Sequence, residues 1–326
     1  MRKLGNVLYL LTEGTRLSKE GEAIMVEPPD KPSLRVPIHT LESIVCFGRV
    51  GMSTPLAGAL CEAGVPVSLL SPQGRYRARI VAPVSGNVHL RRAQYRASDD
   101  ASQGFALARS AVLGKLANQR VALRRGARDR RHSSPAGSQA LDEAADALSG
   151  LAHDMDSPRI AAGGLNALRA VEGEAAARYF GAFECFIIKP DPDFKFAGRS
   201  RRPPIGRVNS LLSFGYALLA HDVAAAVSSV GLDPQVGFLH ADRPGRPGLA
   251  LDVMEEFRVV MVDRLVLALI NRGQIQAGDL DVLPTGEARL TDQSRRDFVI
   301  AYQRRKMLEI KHPYVGEAMP LGLVPF

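Results

Sequence analysis

The residue pattern changes between residues 83 and 87, and this change limits the possible folds more than any other feature of the chain. Before it, short apolar stretches alternate with turn-forming Gly, Pro and Asp residues. After it, apolar residues recur at the spacing of helices for most of the remaining sequence. We therefore predict an α+β protein, with an N-terminal β-rich sheet domain over residues 1–86, a linker over 87–100 and a larger all-α-helical C-terminal domain over 101–326.

The same patterns predict individual elements. In the first domain they indicate one helix over Thr54–Ala63 and strands over Asn6–Thr12, Ala23–Val26, Ser33–Val36, Leu41–Phe47, Val65–Leu70 and Tyr76–Val81. In the second they indicate a hairpin over Leu280–Leu290 and helices over Ser102–Arg125, Ser138–Leu151, Leu165–Ile188, Asn209–Val230, Leu249–Asn271 and Thr291–Ile310. A loop rich in Pro, Gly and Arg is expected over residues 189–207.

The charge of the chain favours an acidic partner. The formal net charge is +8 and the pI is near 9.6, which suits nucleic acid or an anionic membrane surface. No apolar run in the sequence approaches the roughly 20 residues that a membrane helix needs. The three cysteines show neither disulfide-type nor metal-type spacing. We therefore expect a cytoplasmic protein that does not use a membrane.

Three acidic residues share one face of the helix predicted over Leu249–Asn271. Asp252, Glu255 and Glu256 have the spacing i, i+3 and i+4, which places their side chains on the same side of a helix. Their carboxylates repel one another unless a positive group lies between them, and a divalent cation is the usual solution. His240 lies on a Gly- and Pro-rich loop just before this helix, so it is a candidate ligand. Spacing alone does not separate Glu255 from Glu256.

A second acidic pair, Glu172 and Glu174, lies upstream in another predicted helix. The two side chains are about 200° apart around the helix axis, so only one of them can face a given site. Of the two, Glu174 is the better candidate for a solvated position. Carboxylates with one imidazole suit Mg²⁺ or Mn²⁺ better than Zn²⁺. The sequence has neither a zinc-type Cys and His cluster nor a Walker-type phosphate loop.

Basic residues form three clusters along the sequence. They are Lys195, Arg199, Arg201, Arg202 and Arg207; Arg120, Arg124, Arg125, Arg128, Arg130 and Arg131; and Arg295, Arg296, Arg304, Arg305 and Lys306. We expect much of the second cluster to be a solvated helix face. The first cluster lies in a loop with no helix to solvate, and arginine forks suit phosphates. A basic loop beside a carboxylate metal site is typical of enzymes that act on phosphodiesters.

Four groups of residues follow one another behind the β-rich start. They are Val171–Phe180, Arg202–Pro204 with Asn209–Tyr216, Gly231–Pro234 with Gly237–His240, and Leu249–Arg258. In this combination the chain resembles the CRISPR-associated integrases of the Cas1 family, and most of all those of subtype I-C. One of these motifs alone would be a weak signal, whereas the ordered set over nearly the whole chain is highly specific.

The resemblance implies a β-domain and an α-helical domain that form a homodimer, with two such dimers bridging a dimer of the small protein Cas2. It implies DNA strand transfer dependent on Mg²⁺ or Mn²⁺, in which the 3′-hydroxyls of a short DNA duplex attack the backbone at the repeat of a CRISPR array. The metal ligands of the family fall on Glu172, His240 and Glu255, and its further acidic residue falls on Asp252. Glu256 is left outside this set.

Contacts to double-stranded DNA are expected at Arg199, Arg201, Arg202, Arg207, Asn209 and Arg258. Two other functions remain open. A stand-alone nuclease for branched or nicked DNA would use the same site without a partner, because attack by water and by a sugar hydroxyl need the same metal chemistry. A non-enzymatic DNA-binding scaffold would explain the charge, but not three acids on one helix face beside a histidine.

Overall fold

The computed structural model describes residues 6–82, 87–188, 191–311 and 316–324. The chain divides into two compact units. The first comprises Met1–Gly86 together with Leu290–Phe326, and the second comprises Asn87–Arg289. The predicted domain boundary and the first two residues of the predicted loop at 189–207 lie outside the described residues.

Within residues 6–82, the first unit contains eight strands, one α-helix and a short 3-10 helix, Ile38–Thr40. The strands and the α-helix are β1 (Val7–Leu10), β2 (Arg16–Glu20), β3 (Ala23–Glu27), β4 (Leu34–Pro37), β5 (Ser43–Phe47), β6 (Gly51–Met52), α1 (Thr54–Glu62), β7 (Val67–Leu70) and β8 (Tyr76–Ile80). One sheet has the order β1-β5-β7-β8, in which the first two pairings are parallel and the last is antiparallel. The other has the order β4-β3-β2-β6, with β2 and β6 parallel and the remaining pairs antiparallel.

Strand β5 lies at the centre of the first sheet and is buried at every residue. A strand with neighbours on both sides and both faces covered has no solvent face, so after Ser43 its sequence is a continuous apolar run rather than an alternating one. Ile44 of this strand and Leu56 and Leu60 of α1 belong to one core cluster, which also includes Ile24 of the second sheet. These four residues are fully buried, and they hold the sheet region together through apolar packing.

The second unit contains most of the helical residues. Its helices are α2 (Val88–Asp99), α3 (Ala101–Arg130), α4 (Pro135–Asp154), α5 (Pro158–Gly181), α6 (Arg207–Ser229), α7 (Gly248–Phe257) and α8 (Arg264–Asn271). The short strands β9 (Leu280–Val282) and β10 (Ala288–Leu290) follow as a two-stranded sheet, where a hairpin was predicted. The protein therefore has an N-terminal sheet region and a larger helical part, as the sequence predicts.

The linker predicted over residues 87–100 differs from the structure, because this segment forms α2. Its polar sequence has no apolar stripe, so hydrophobic periodicity does not reveal it. The helix is marked instead by its start, where the side chain of Asn87 accepts hydrogen bonds from the N–H groups of His89 and Leu90 at 3.0 and 3.3 Å. Asp100 similarly caps the start of α3 through Ser102 N–H at 2.9 Å.

The C-terminal residues also differ from the predicted domain organisation. Leu290–Phe326 belongs to the first unit, whereas the sequence placed the whole of 101–326 in the helical domain. This segment contains α9 (Asp292–Lys306) and the antiparallel strands β11 (Glu309–Lys311) and β12 (Ala318–Pro320). Helix α9 carries many charged residues, so its pattern does not indicate which unit it packs with.

Helix α6 forms part of the core of the second unit. Its length and composition alone would allow it to cross a membrane, which the sequence pattern did not indicate. However, 78% of its most apolar window is buried inside the protein. Burial of this kind is expected of a core helix, so packing is sufficient to explain its apolar composition.

The helix predicted over Leu249–Asn271 is divided into three parts. A π-helical segment, Arg258–Asp263, separates α7 from α8. In a π-helix each N–H bonds one residue further back than in an α-helix, and such turns occur frequently at functional sites. The acidic residues that the sequence singled out lie on α7, directly before this segment.

Candidate active site

The loop before α7 contacts the first turn of that helix closely, because glycines face each other there. A Cβ atom on Gly237 would lie 2.6 Å from the carbonyl carbon of Gly248 and 2.7 Å from Oδ2 of Asp252. Contacts this short do not occur for real side chains, so residue 237 must lack a Cβ atom for the loop to lie here. The close approach brings the loop backbone onto the side chain of Asp252.

Asp252 fixes this loop and orients His240. Its Oδ2 accepts hydrogen bonds from the N–H groups of Phe238 and Leu239 at 2.5 and 2.9 Å, and its Oδ1 accepts one from His240 N–H at 3.0 Å. The ring Nδ1 of His240 lies 2.6 Å from the same Oδ1. An ionised carboxylate can only accept, so Nδ1 donates, and Nε2 of the neutral ring keeps its lone pair for a ligand.

Glu172 of α5 and Glu255 of α7 meet at the ammonium group of Lys115, which lies on α3. Lys115 Nζ forms an ion pair with Glu172 Oε1 and lies 2.8 Å from Glu255 Oε2. The side chains of Lys115 and Glu255 are each 4% exposed, and that of Glu172 is 24% exposed. Two acids that are distant in sequence, one of them buried, therefore face a single point.

Glu255 is held in its charged form by the cations around it. Burial acts to raise the pKa of Glu255, but the charges of Arg258 and Lys115 outweigh it and lower the pKa to about 2. Arg258 contacts Oε1 at 3.0 Å from one helical turn along the chain. The other oxygen, Oε2, is buried and has no partner with hydrogen-bond geometry, although Lys115 lies near it. This carboxylate oxygen is therefore available to a divalent cation only in place of the Lys115 ammonium group, which lies 2.8 Å away.

The π-helical segment carries a second buried acid beside the site. Asp263 accepts hydrogen bonds from the hydroxyls of Tyr216 and Tyr179 at 2.5 and 3.0 Å. Burial raises the pKa of Asp263 from its ordinary value of 3.8 to about 6. The ring of Tyr216 also lies beneath two guanidinium groups, with Arg258 at 4.7 Å and Arg199 at 5.4 Å from its centroid. The cation that pairs with Glu255 is thus supported by an aromatic ring that Asp263 fixes.

A small cavity of about 10 Å³ lies among these groups. It is lined by Lys115, Gln119, Phe180, Arg199, Arg201, Tyr216, Arg258 and Asp263. Four of these side chains are cationic and one is acidic, so the cavity is positively charged. A cavity of this size has room for no more than about one water molecule, but its positive charge beside a carboxylate pair attracts substrates that carry phosphate groups.

The donor chemistry of the site fits a hard divalent cation. Glu172 and Glu255 offer carboxylate oxygens, and His240 offers one imidazole nitrogen. The buried Oε2 of Glu255 is available to such an ion in place of Lys115. Within residues 6–82, 87–188, 191–311 and 316–324, however, no three His, Cys, Asp or Glu side chains lie close enough together to hold a metal ion. Lys115 takes the place between the two glutamates instead.

The structure separates the two candidates in each acidic pair. Glu255 is buried, whereas Glu256 is exposed and lies against Gly114, where an added Cβ atom would come within 3.1 Å of its side chain. On α5, Glu172 faces Lys115, whereas Glu174 is exposed and lies 3.4 Å from Arg178. Glu256 and Glu174 thus point away from the site.

Four of the predicted DNA-contacting residues have partners within the protein, and one of them is Arg258, which pairs with Glu255 at 3.0 Å. Asn209 is 5% exposed, and its amide accepts from Arg199 and Ser200 while donating to two backbone carbonyls, so all four of its hydrogen bonds are made. Arg207 lies 2.7 Å from Oδ1 of Asp193. The contacts of the other three order the loop before α6, and they limit how Asn209, Arg199 and Arg207 can reach a ligand in this conformation.

Arg201 and Arg202 are exposed on the same loop, and a further basic group lies near His240. Arg169 donates a hydrogen bond to the carbonyl of Leu239 at 2.7 Å. Burial lowers the pKa of Arg246, and the charge of Arg243 lowers it further. The charges of Arg169 and Arg202 act in the same direction, which indicates one positive region.

Sequence reasoning missed this positive region and Lys115. Arg243 and Arg246 follow His240 within a few residues, so their proximity to the histidine was a usable signal. Lys115 occupies a position in the buried stripe of α3, between Val112 and Gln119. A lysine in such a stripe requires a buried counter-charge, and this requirement was the available clue.

Comparison with known proteins identifies relatives that share one description, CRISPR-associated Cas1. The sequence profile of the family described as CRISPR associated protein Cas1 matches residues 8–304. The CRISPR-associated endonuclease Cas1 2 of Rhodospirillum rubrum is 49% identical over 326 residues, which is 100% of this chain and 93% of that protein. The CRISPR-associated endonuclease Cas1 1 of Chlorobaculum tepidum is 47% identical over 324 residues, 99% of this chain and 93% of that one.

A solved structure that contains a Cas1 protein also resembles this chain. A chain in a Cas6-RT-Cas1–Cas2 complex superposes with a TM-score of 0.81 at 25% sequence identity. The match covers 100% of this chain and 34% of that longer chain. The similarity therefore extends over both units of the protein.

Proposed function

Since this chain belongs to the CRISPR-associated Cas1 family, we propose that it is a metal-dependent DNA endonuclease and integrase of CRISPR adaptation. It inserts short DNA duplexes into the repeat array by transesterification. The 3′-hydroxyl of the duplex attacks a phosphodiester of the repeat and forms a new phosphodiester bond, and the cut strand leaves with a free 3′-hydroxyl. The observation that carries this proposal is the convergence of Glu172 and Glu255, from two separate helices, on Lys115. His240, which Asp252 orients, acts electrostatically on Glu255.

Glu172, His240 and Glu255 would hold Mg²⁺ or Mn²⁺, which when bound neutralises phosphate charge and activates an attacking oxygen. Each residue of the chain has a separate part in this. Asp252 fixes the His240 ring so that Nε2 faces outward from the hydrogen bond. Arg258 keeps Glu255 ionised and in place.

The basic residues around the carboxylates bind the DNA backbone. Arg201 and Arg202 are exposed beside the site, and Arg243 and Arg246 lie in the positive region near His240. Arginine pairs with phosphate oxygens through two parallel N–H groups, so these residues can hold a strand on either side of a reacting phosphate. They supply affinity rather than sequence recognition.

We further propose that the protein acts as a homodimer in the cytoplasm, together with Cas2, and belongs to subtype I-C. The Cas1–Cas2 complex among the similar structures supports the partner, and the ordered motifs described above support the subtype. Light scattering of the purified protein tests the dimer, and co-purification with the Cas2 protein of the same locus tests the partner. The genes that flank its own test the subtype.

An integration assay tests the proposed function directly. The protein, Cas2, a short DNA duplex and a plasmid that carries the repeat are combined with Mn²⁺, and strand-transfer products are separated on a gel. We expect product with the wild type and with Glu256→Gln, and none with His240→Ala. Undiminished product from His240→Ala would overturn the site assignment.

The same assay separates the integrase from a stand-alone nuclease. Strand-transfer product that requires Cas2 supports the integrase, whereas cleavage of branched or nicked DNA at equal rates without Cas2, and without transfer, would favour the nuclease. DNA binding that is unaffected by Glu172→Ala, with no product from any variant and no binding of a divalent ion, would favour a scaffold.

A further inference from the structure

Lys115 occupies the point at which the two glutamates converge. Its Nζ atom forms ion pairs with Glu172 Oε1 and Glu255 Oε2, the latter at 2.8 Å. These oxygens belong to two of the residues proposed to bind the metal ion. The ammonium group is thus the cation that both carboxylates share in this structure.

Burial of the Lys115 ammonium group would be energetically unfavourable without Glu172 and Glu255 beside it. The side chain is 4% exposed and lies on the buried stripe of α3. A buried ammonium loses its hydration and needs opposite charges beside it, and two carboxylates that face each other likewise need a positive charge between them. Each side of the contact therefore requires the other for as long as no other cation is present.

We infer that Lys115 is a tethered counter-ion that stands in for the divalent cation in the metal-free site and is displaced when the cation binds. This inference rests on the proposed function, because it requires that Glu172 and Glu255 bind a metal ion. Two cations cannot share one point between the same carboxylate oxygens, so the lysine and the ion compete. Lys115 is accordingly a competitor of the ion, which neutralises the two carboxylates before the ion arrives.

Removal of Lys115 changes the affinity for the metal ion in opposite directions under the two explanations, competition with the ion and structural support of the site. If Lys115 competes, its removal makes the carboxylates more available, and the ion binds more tightly. If Lys115 instead only supports the fold around the site, its removal loosens the carboxylates, and the ion binds more weakly or equally well.

Titration calorimetry of the full-length protein with Mn²⁺, without DNA, distinguishes these cases. The variants are Lys115→Met, which keeps the length of the side chain without its charge, and Glu172→Gln, which removes a proposed ligand. Lys31→Met, at an exposed position outside the site, is the matched control. We expect Lys115→Met to bind Mn²⁺ at least about tenfold more tightly than the wild type, which corresponds to about 1.4 kcal/mol, because the ion no longer has to displace the ammonium group. Lys31→Met should match the wild type.

The outcomes separate the inference from the function on which it rests. If the wild type binds Mn²⁺ and Glu172→Gln weakens the binding, but Lys115→Met binds no more tightly than the wild type, the inference is wrong and the metal site stands. If neither the wild type nor Lys115→Met binds Mn²⁺, both the metal site and the competition are wrong.

A second measurement does not depend on the folding of Lys115→Met. A crystal structure of the wild type with Mn²⁺ should place the ion between Glu172 and Glu255, with Lys115 Nζ no longer in contact with both. An ion held by these carboxylates while Lys115 keeps both ion pairs would overturn the inference.

Discussion

Nδ1 of His240 lies 2.6 Å from Oδ1 of Asp252, and the same carboxylate binds three backbone N–H groups of the loop that carries the histidine. Asp252 therefore sets both the position of the loop and the direction of the ring. Partners of this kind beside a metal ligand fix its tautomer and orientation. Asp252, which is not proposed as a ligand, therefore orients one of the proposed ligands.

Asp252→Asn should weaken the site without removing a proposed ligand. The amide oxygen can keep some of the hydrogen bonds from the loop. The NH₂ group cannot accept the others, and one carboxylate oxygen that accepts from backbone N–H groups or from Nδ1 of His240 is lost. We expect Mn²⁺ affinity and strand-transfer rate to fall by about 10–100-fold. Calorimetry and the integration assay measure these effects. Glu256→Gln on the same helix is the control, and an equal loss in both variants would contradict the role of Asp252.

Glu172→Gln and Glu174→Gln form a matched pair on α5. Glu172 faces Lys115, whereas Glu174 is exposed and pairs with Arg178. We expect the first variant to lose strand transfer by more than about 100-fold, because it removes a proposed ligand, and the second to retain it. Melting temperatures should show that both variants are folded. Activity in Glu172→Gln close to the wild-type level would exclude this residue as a ligand.

Arg201→Ala with Arg202→Ala should lower DNA affinity in a manner that depends on salt. Each phosphate contact contributes about 0.9 to the slope of log affinity against log salt, so the loss of two contacts should reduce the slope by about two. Fluorescence anisotropy over a salt series gives this slope. The exposed pair Arg128 and Arg131, both changed to Ala, is the control. A slope that changes equally in both double variants would assign DNA contact to the wider basic surface instead.

Asp263 should make stability fall as the pH rises. Its pKa of about 6 in the folded protein lies above its ordinary value of 3.8 because the carboxyl is buried. Between these values the folded state binds more protons than the unfolded state, so its contribution to stability is complete below about pH 4 and is lost as the pH rises through 6.

Asp263→Asn removes this titration. We therefore expect Asp263→Asn to gain stability relative to the wild type as the pH rises. The free energy of unfolding of the variant minus that of the wild type should be larger at pH 7.5 than at pH 4.5. Urea denaturation at these two pH values measures the difference. The higher pH lies about 1.5 units above the pKa of Asp263 in the folded protein, and the lower pH lies just above its ordinary pKa. A difference that is constant with pH would contradict the raised pKa. The hydroxyls of Tyr216 and Tyr179 donate to the two oxygens of Asp263, so the substitution also changes one of these hydrogen bonds. That effect does not depend on pH over this range and cancels when the two pH values are compared.

Gly237→Ala should displace the loop that carries His240. The new methyl group would meet the Gly248 backbone at 2.6 Å and Asp252 at 2.7 Å, so the loop must move away from α7. We expect a loss of Mn²⁺ affinity similar to that of Asp252→Asn. Gly150→Ala in α4 is the matched control, because an added Cβ atom there meets no atom within 4 Å. In that variant we expect unchanged binding and a stability gain of about 0.5–1 kcal/mol.

Much of the fold follows from local patterns, and the differences have identifiable causes. Strand β5 and helix α6 were predicted because their apolar residues are dense and continuous. Strand β2 was not, because its sequence Arg-Leu-Ser-Lys-Glu has a single buried residue, Leu17. It is a strand because β3 and β6 supply hydrogen bonds on both sides. Backbone pairing with the adjacent strand β3 and with β6 leaves no mark in local hydrophobicity.

The site could be predicted in part for a similar reason. Helical spacing placed Asp252 and Glu255 on one face, but it left Glu255 and Glu256 equivalent. The packing of α3 separates them, since Glu256 lies against Gly114 while Glu255 faces Lys115. The meeting of α3, α5 and α7 is a property of the tertiary structure.

The π-helical segment fixes the rotational phase between α7 and α8. Each residue of an α-helix turns the chain by about 100°, so one residue more or less within Arg258–Asp263 would rotate everything after it by that angle. Helix α8 buries five of its eight residues and can tolerate no such rotation without exposing them. A change in the length of this segment would therefore either misplace Asp263 or disrupt the core. For that reason we expect an insertion or deletion between Glu255 and Asp263 to be tolerated less well than a substitution of the residues between them.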